Sequence, residues 1–266
     1  MDTLHTVIKE VDGYRIEVDI EQDDLAESPR EWDNLGTMVC FHSGYNLGDE
    51  PYNEYDTYQS LLLDLGGDCL KQKDGPDSWH EWARYNNMDD NIVEKLQAYV
   101  DQHYLTLPLY LYDHSGITMN TRGFSCPWDS GQVGIIYVSH EKIREEYGVK
   151  RVSKKLRERV AKYLTGEVET YDNYLTGEVY WYNARAINLD GDEIGEGSCC
   201  GFYGEDGYNP CDLDNSEMVL DAIGQMESAI DDYKQSVIDD AETERKEHLA
   251  QTKTYIKNHV PLEHRV

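Results

Sequence analysis

The chain has 266 residues, 39% hydrophobic and 29% charged, the composition of a folded protein whose core can hold without disulfides. Its formal charge of -29, from 53 acids and 24 bases, argues against general binding to nucleic-acid phosphates or anionic membranes and favours a basic partner. No run reaches the roughly 18 apolar residues of a membrane span, Met1-Asp2-Thr3-Leu4-His5 does not read as a secretory signal, and six cysteines without regular spacing point to a reducing cytoplasm.

In chain order, residues 5–20 alternate apolar and polar about Asp12-Gly13, the signal of a hairpin. Thr37 to His42 reads as a short strand, Gly44 to Glu54 as a loop, and Tyr55 to Leu65 as a helix stopped by Gly66-Gly67. Ser78 and Glu81 form a capping box for a helix holding Trp79 and Trp82. From Asp90, Ile92, Val93, Leu96 and Val100 recur near the 3.6 period of a second helix. Leu107–Tyr112 and Ile117–Asn120 are strands joined at Ser115-Gly116, and Val133 to Val138 is the densest buried strand. Ser139 caps a helix that ends at Gly148.

From Ser153 a helix carries Leu156, Val160, Tyr163 and Leu164 on one face and Lys154, Lys155, Arg157, Arg159 and Lys162 on the other. The hexapeptide at 163–168, Tyr-Leu-Thr-Gly-Glu-Val, recurs at 174–179; the first copy reads as a helix end and the second as a strand start. Glu178–Asn188 and Ile194–Tyr203 flank a turn at Asp190-Gly191. Asp214 and Glu217 read as a capping box for a long helix with a heptad seam of Val219, Ile223, Met226, Ile230, Tyr233 and Val237. These elements make an α+β fold, mainly antiparallel sheet with flanking helices. The expected organisation is one α+β domain over 1–211 and a long acidic C-terminal helix, 212–266, packed on it with homodimerisation as an option.

Charge is uneven. Residues 1–104 carry 24 acids and 7 bases, residues 212–247 carry 12 and 3, and residues 141–162 invert the balance with 4 acids and 9 bases. The basic island reads as a surface whose cations answer the protein's own acids rather than as a nucleic-acid interface.

The most distinctive run is the Gly-bounded loop Gly123 to Gly134, with a thiol, an indole and a carboxylate at Cys126, Trp128 and Asp129. A cysteine nucleophile needs a base in hydrogen-bond reach, and His42, Asp113 and His114 are the candidates; the competing reading is a structural turn with Cys126 and Trp128 buried beside strand 132–138. Cys199, Cys200 and Cys211 lack the paired spacing of a zinc site and read as small residues in a hairpin floor. Asp190-Gly-Asp-Glu193 lacks a calcium loop, Gly195-Glu-Gly197 has no phosphate-loop context, and no metal or cofactor is expected. Asp221, Asp231, Asp232, Asp239 and Glu242 lie off the helix seam, where they can face a partner.

The run Cys-Pro-Trp-Asp-Ser-Gly-Gln-Val-Gly at 126–134, with Trp32-Asp-Asn-Leu-Gly36, the two hexapeptides and Cys200-Gly-Phe-Tyr-Gly204, resembles uncharacterised accessory proteins of bacterial phages and mobile elements. The resemblance covers roughly residues 30–210. It implies expression in the bacterial cytoplasm and carries no catalytic residue over. The expected function is a non-enzymatic acidic binding protein that occupies a basic or nucleic-acid-binding surface of a host protein, as an inhibitor of host defence does, with Trp128 and the helix acids as contacts. The alternative is a cysteine-dependent hydrolase or transferase built on Cys126.

Overall fold

The structure, a computed structural model, describes residues 3–49, 57–70 and 90–259. The capping box at Ser78 and Glu81, with Trp79 and Trp82, lies outside them, as do residues 50–56 of the expected loop and helix start. The fold is α+β with two antiparallel sheets, and its chain contacts form two compact units: residues 1–24 with 179–266, and residues 25–178. The expected partition, drawn from the predicted elements, was 1–211 and 212–266, whereas the contacts group the two ends of the chain together. The terminal helix shares its unit with a hairpin from the other end of the chain, because backbone pairing of the hairpin is what completes its sheet.

In the first unit, β1 (His5–Val11) and β2 (Tyr14–Gln22) meet at Asp12 and Gly13, whose φ values of 53° and 85° make the tight turn that Asp-Gly favours. Strand β2 pairs with β7 (Val179–Ile187), and β7 with β8 (Glu193–Tyr203), turning through Gly191 at φ 89°. The register places Ile16, Val18 and Ile20 opposite Ala186, Ala184 and Tyr182. All six are fully buried, against Met218, Val219, Ala222, Ile223, Met226 and Ile230 of a 43-residue helix, Glu217–His259. Gly195 and Gly197 explain themselves here. A Cβ on Gly195 would lie 2.6 Å from the Ala229 Cβ, and one on Gly197 2.7 Å from the Gln225 side chain, so bare backbone lets the helix seat on β8.

The helix start is capped by Ser216, whose Oγ accepts from Val219 N, and not by the expected Asp214, which lies in the 3₁₀ turn Leu213–Asn215 just before it. Its seam buries residues only as far as Ile230; Tyr233 is half-buried and Val237 is 49% exposed, because the sheet ends beneath the helix.

The second unit holds β3 (Thr37–Cys40), α1 (Tyr58–Gly66), α2 (Asp90–His103), β4 (Tyr104–Asp113), β5 (Ile117–Asn120), β6 (Ser130–Ser139), α3 (His140–Glu146) and α4 (Lys154–Thr176). Sheet order is β3-β6-β4-β5. The apolar run in β6 is buried on both faces: Ile136 and Val138 join Val160, Leu164 and Val168 of α4, while Ile135 and Tyr137 join Leu61 of α1. Gly134 has no room for a side chain, since a Cβ there would meet the Val39 carbonyl oxygen at 2.0 Å. Ser139 and Ser153 cap α3 and α4 through Oγ acceptors, as their sequence context predicts.

Helix α4 runs unbroken through the first hexapeptide instead of ending there, because Val160, Leu164, Val168 and Tyr171 keep one buried stripe going. Only the second copy ends it, at Gly177 with φ 76°. Tyr163, expected on the apolar face, is 52% exposed.

Passage through Glu167 has a purpose. Arg30, 8% exposed, forks its Nε and Nη2 onto Asp49 at 2.5 and 3.0 Å, gives Nη1 to Glu167 at 3.2 Å, and gives Nη2 to the Gly36 carbonyl at 2.8 Å. Glu167 also accepts from the amides of Leu35 and Gly36, and Asp49 from the amide of Met38. A Cβ on Gly36 would collide with Leu164 at 2.6 Å. Two of the distinctive sequence strings, Trp32–Gly36 and the first hexapeptide, therefore meet as a buried structural lock. Nearby Cys40 and Tyr171 are pushed up to about 12, in both cases mainly by burial.

We label the single helical turn Gly204–Gly207 α5 and the long terminal helix α6.

Candidate functional site

The central loop links β5 to β6 in the second unit. Asn120 Oδ1 accepts from the amides of Arg122 and Gly123 and starts the turn, and Ser130 Oγ donates to the Cys126 carbonyl and closes it. The backbone of Asp113 donates to the Asp129 carbonyl, which brings the end of β4 against the loop. As a result Cys126, Asp129 and His114 do come together. Cys126 Sγ donates to Asp129 Oδ2 at 3.5 Å, and His114 Nδ1 lies 3.5 Å from the same oxygen.

The connectivity is wrong for a cysteine nucleophile. In the relay that works, the thiol's partner is the imidazole and the carboxylate orients the imidazole. Here the carboxylate stands between thiol and imidazole. His42 is occupied elsewhere: its Nδ1 accepts from the amides of Gly44 and Tyr45, its ring stacks on Tyr45, and Tyr45 reaches Asp113 through its hydroxyl at 3.3 Å. Trp128 corrects the expectation of burial, for it is 89% exposed in the loop that precedes the strand it was expected to cover. Cys126 is half-buried.

In the first unit a cavity of about 740 Å³ opens where β8, the α5 turn and the start of α6 meet. Its wall holds four carboxylates, Glu205, Asp212, Glu217 and Asp221, with Cys199, and no cation. Asp221 accepts from the Tyr182 hydroxyl at 2.6 Å and from Gln225 at 3.1 Å. Burial and this carboxylate together push the Tyr182 phenol well up, so it remains a donor. Asp212 accepts from Asn215 at 2.7 Å. Of these four the sequence offers only Asp221 as a partner contact and Glu217 as a capping residue; Glu205 and Asp212 carry no local signal, because the cavity is assembled from three elements.

The other helix acids are all exposed. Asp231 pairs with Lys234 at 3.3 Å, Asp239 accepts from Gln235, Glu242 pairs with Lys246 at 3.3 Å, and Asp232 has no side-chain partner among the described residues. From 235 to 259 every residue of α6 is exposed, an arm of about 37 Å at 1.5 Å per residue.

Cys199, Cys200 and Cys211 are exposed rather than forming a hairpin floor, since they ride the outer strand β8 and the loop beyond it. Among the described residues no three His, Cys, Asp or Glu side chains are grouped to hold a metal, and no helix is long and apolar enough to cross a membrane. The basic island also departs from expectation. Among the described residues Lys142 donates to the Asn34 carbonyl, Arg157 to His140 and Arg159 sits over Tyr147, but none of the nine island cations forms an ion pair.

No family model, curated protein or solved structure matches the chain.

Proposed function

We propose that the protein is a non-enzymatic acidic binding protein whose first unit occupies a basic, nucleic-acid-binding surface of a host protein, and that it serves a phage or mobile element in the bacterial cytoplasm as an inhibitor of host defence. The observation that carries the binding reading is the 740 Å³ cavity with four carboxylates and no cation in its wall. Such a wall suits an inserted lysine or arginine side chain, and Asp221, held by Tyr182, supplies a fixed acceptor at its rim. The acids of the α6 arm extend the same charge beyond the cavity and favour fast, salt-sensitive encounter. The setting rests on the resemblance of the central motif.

The test is affinity capture of the target from bacterial cells, followed by competition with duplex DNA at two salt concentrations. Binding should be exclusive with DNA and should weaken steeply as the Debye length falls from about 10 Å at 0.1 M to about 3 Å at 1 M. Simultaneous binding of DNA and protein, or insensitivity to salt, refutes the proposal.

The competing reading is a cysteine-dependent enzyme, for which Cys126, Asp129 and His114 come together but with the carboxylate standing between thiol and imidazole. Cys126→Ser separates the two: the binding reading expects full activity in cells, and the enzyme reading expects complete loss with intact folding.

A further inference from the structure

The second unit contains a cavity of about 440 Å³ between α3 and the first turn of α4. Its wall carries Arg144, Lys150, Arg151, Lys154 and Arg157 together with His140. The chain has 53 acids, yet none lies within ion-pair distance of these five cations among the described residues. Five like charges facing one concavity repel each other, and none of them is held in a close ion pair among the described residues. Arg157 Nη2 donates to His140 Nε2 at 2.8 Å; a guanidinium has no acceptor, so this imidazole nitrogen is unprotonated.

We propose that this cavity binds a small polyphosphate anion, either free or as the triphosphate group of a nucleotide. Three guanidinium groups match phosphate oxygens in their fork geometry, and two ammonium groups add compact charge. The total suits a ligand with three to five negative charges better than a single carboxylate. No Trp, Tyr or Phe lines the cavity and its wall is dominated by cations, so recognition falls mainly on the phosphates. The volume is that of a small-ligand site rather than of a groove that tracks a strand. The start of the 23-residue α4, whose Leu156 amide is taken by the Ser153 cap, adds the positive end of its dipole to the same field.

His140 supplies an independent readout. Burial, Arg157, Arg144 and His103 hold its pKa below the usual value, against a raising hydrogen bond with the Gln102 backbone. A bound polyanion offsets the cations, so the imidazole gains affinity for a proton and binding takes one up over the pH range between the free and bound pKa values.

The experiment is calorimetric titration of the full chain with inorganic tripolyphosphate and with nucleoside triphosphates, at about 50 and 300 mM salt. One-to-one binding that weakens with salt is expected, with heats that depend on the ionisation enthalpy of the buffer over the acidic part of a pH series and not at its alkaline end. Equal affinity for the two anions identifies free polyphosphate as the ligand, and tighter binding of the nucleotide identifies the nucleotide. Arg144→Ala and Arg151→Ala should each weaken binding about tenfold or more, the loss of one charge-assisted contact. Lys162→Ala, on the same helix but outside the cavity, should change it less than about threefold. Should either arginine variant lower the melting temperature, Lys150→Gln, exposed between the helices, carries the same test. The proposal is overturned by absence of binding at millimolar tripolyphosphate or by unchanged affinity in the variants. It is also overturned if a single-stranded oligonucleotide binds more tightly than either anion, or if the variants abolish a dimer, since the cavity then serves a strand or a second copy.

Discussion

Glu167→Ala is the sharpest probe of the second unit. Glu167 gives one carboxylate oxygen to Arg30 at 3.2 Å, and its carboxylate takes the amides of Leu35 at 2.8 Å and Gly36 at 3.2 Å. Its side chain is 7% exposed and that of Arg30 only 2%, so water cannot readily replace what is lost. Arg30 keeps its fork on Asp49, which limits the damage, but two buried amides and one guanidinium nitrogen lose their acceptor together. Removing one partner of a buried pair costs about 3–5 kcal/mol. For a unit of this size that is a fall in melting temperature of roughly 10 °C. Glu167→Gln keeps an oxygen for the two amides and loses only the charge, so it should cost about half as much. Because the chain forms two units, the assay must report locally: hydrogen exchange read by mass spectrometry over residues 35–40, backed by denaturant unfolding. Alanine should speed exchange there more than 100-fold, corresponding to about 3 kcal/mol of opening energy, and leave β7 and β8 protected. A change below about 1 kcal/mol, or equal effects of alanine and glutamine, would refute the claim that this contact locks the unit.

Ile230→Asp, at 1% exposure, should cost the first unit several kcal/mol, whereas Val237→Asp, one heptad further and 49% exposed, should stay within about 0.5 kcal/mol; thermal unfolding of the two variants measures where the seam ends. Gly195→Ala places a Cβ 2.6 Å from that of Ala229 and should destabilise by about 1–3 kcal/mol by chemical denaturation. Trp128→Ala should leave the melting temperature unchanged, and loss of target capture by that variant would mark Trp128 as a contact. Burial raises the Asp172 pKa above 3.8, although Met119 N and Thr118 Oγ1 donate to it. The folded form therefore holds this proton more tightly than the unfolded form. Its favourable contribution is present below the unfolded value and is lost as pH rises through the folded one, so Asp172→Asn should lose less stability than the parent as pH rises from the unfolded carboxylate value of about 4.

What the sequence determined by itself was local. Asp12-Gly13, Asp190-Gly191, Ser139, Ser153 and the apolar run at 133–138 each act through a few neighbouring residues, and each element they announce is present. The α+β class followed from those elements. What the tertiary structure decided was which elements share a core and which side chains share a cavity. Strand β2 pairs with β7 across more than 150 residues, and Glu167 meets Leu35 across 132, distances at which no spacing rule applies. The first hexapeptide looked like a helix end because Thr and Gly disfavour helix, but burial of Val168 and Tyr171 outweighed that propensity. Trp128 looked like core because it is large and aromatic, yet nothing in a loop's sequence states which way its tip points. The two charged cavities were legible only as regional excesses of acid and base. Side chains converge on a cavity through the register of strands and the rotation of helices, and those are fixed by packing of the apolar faces, not by the charged residues themselves.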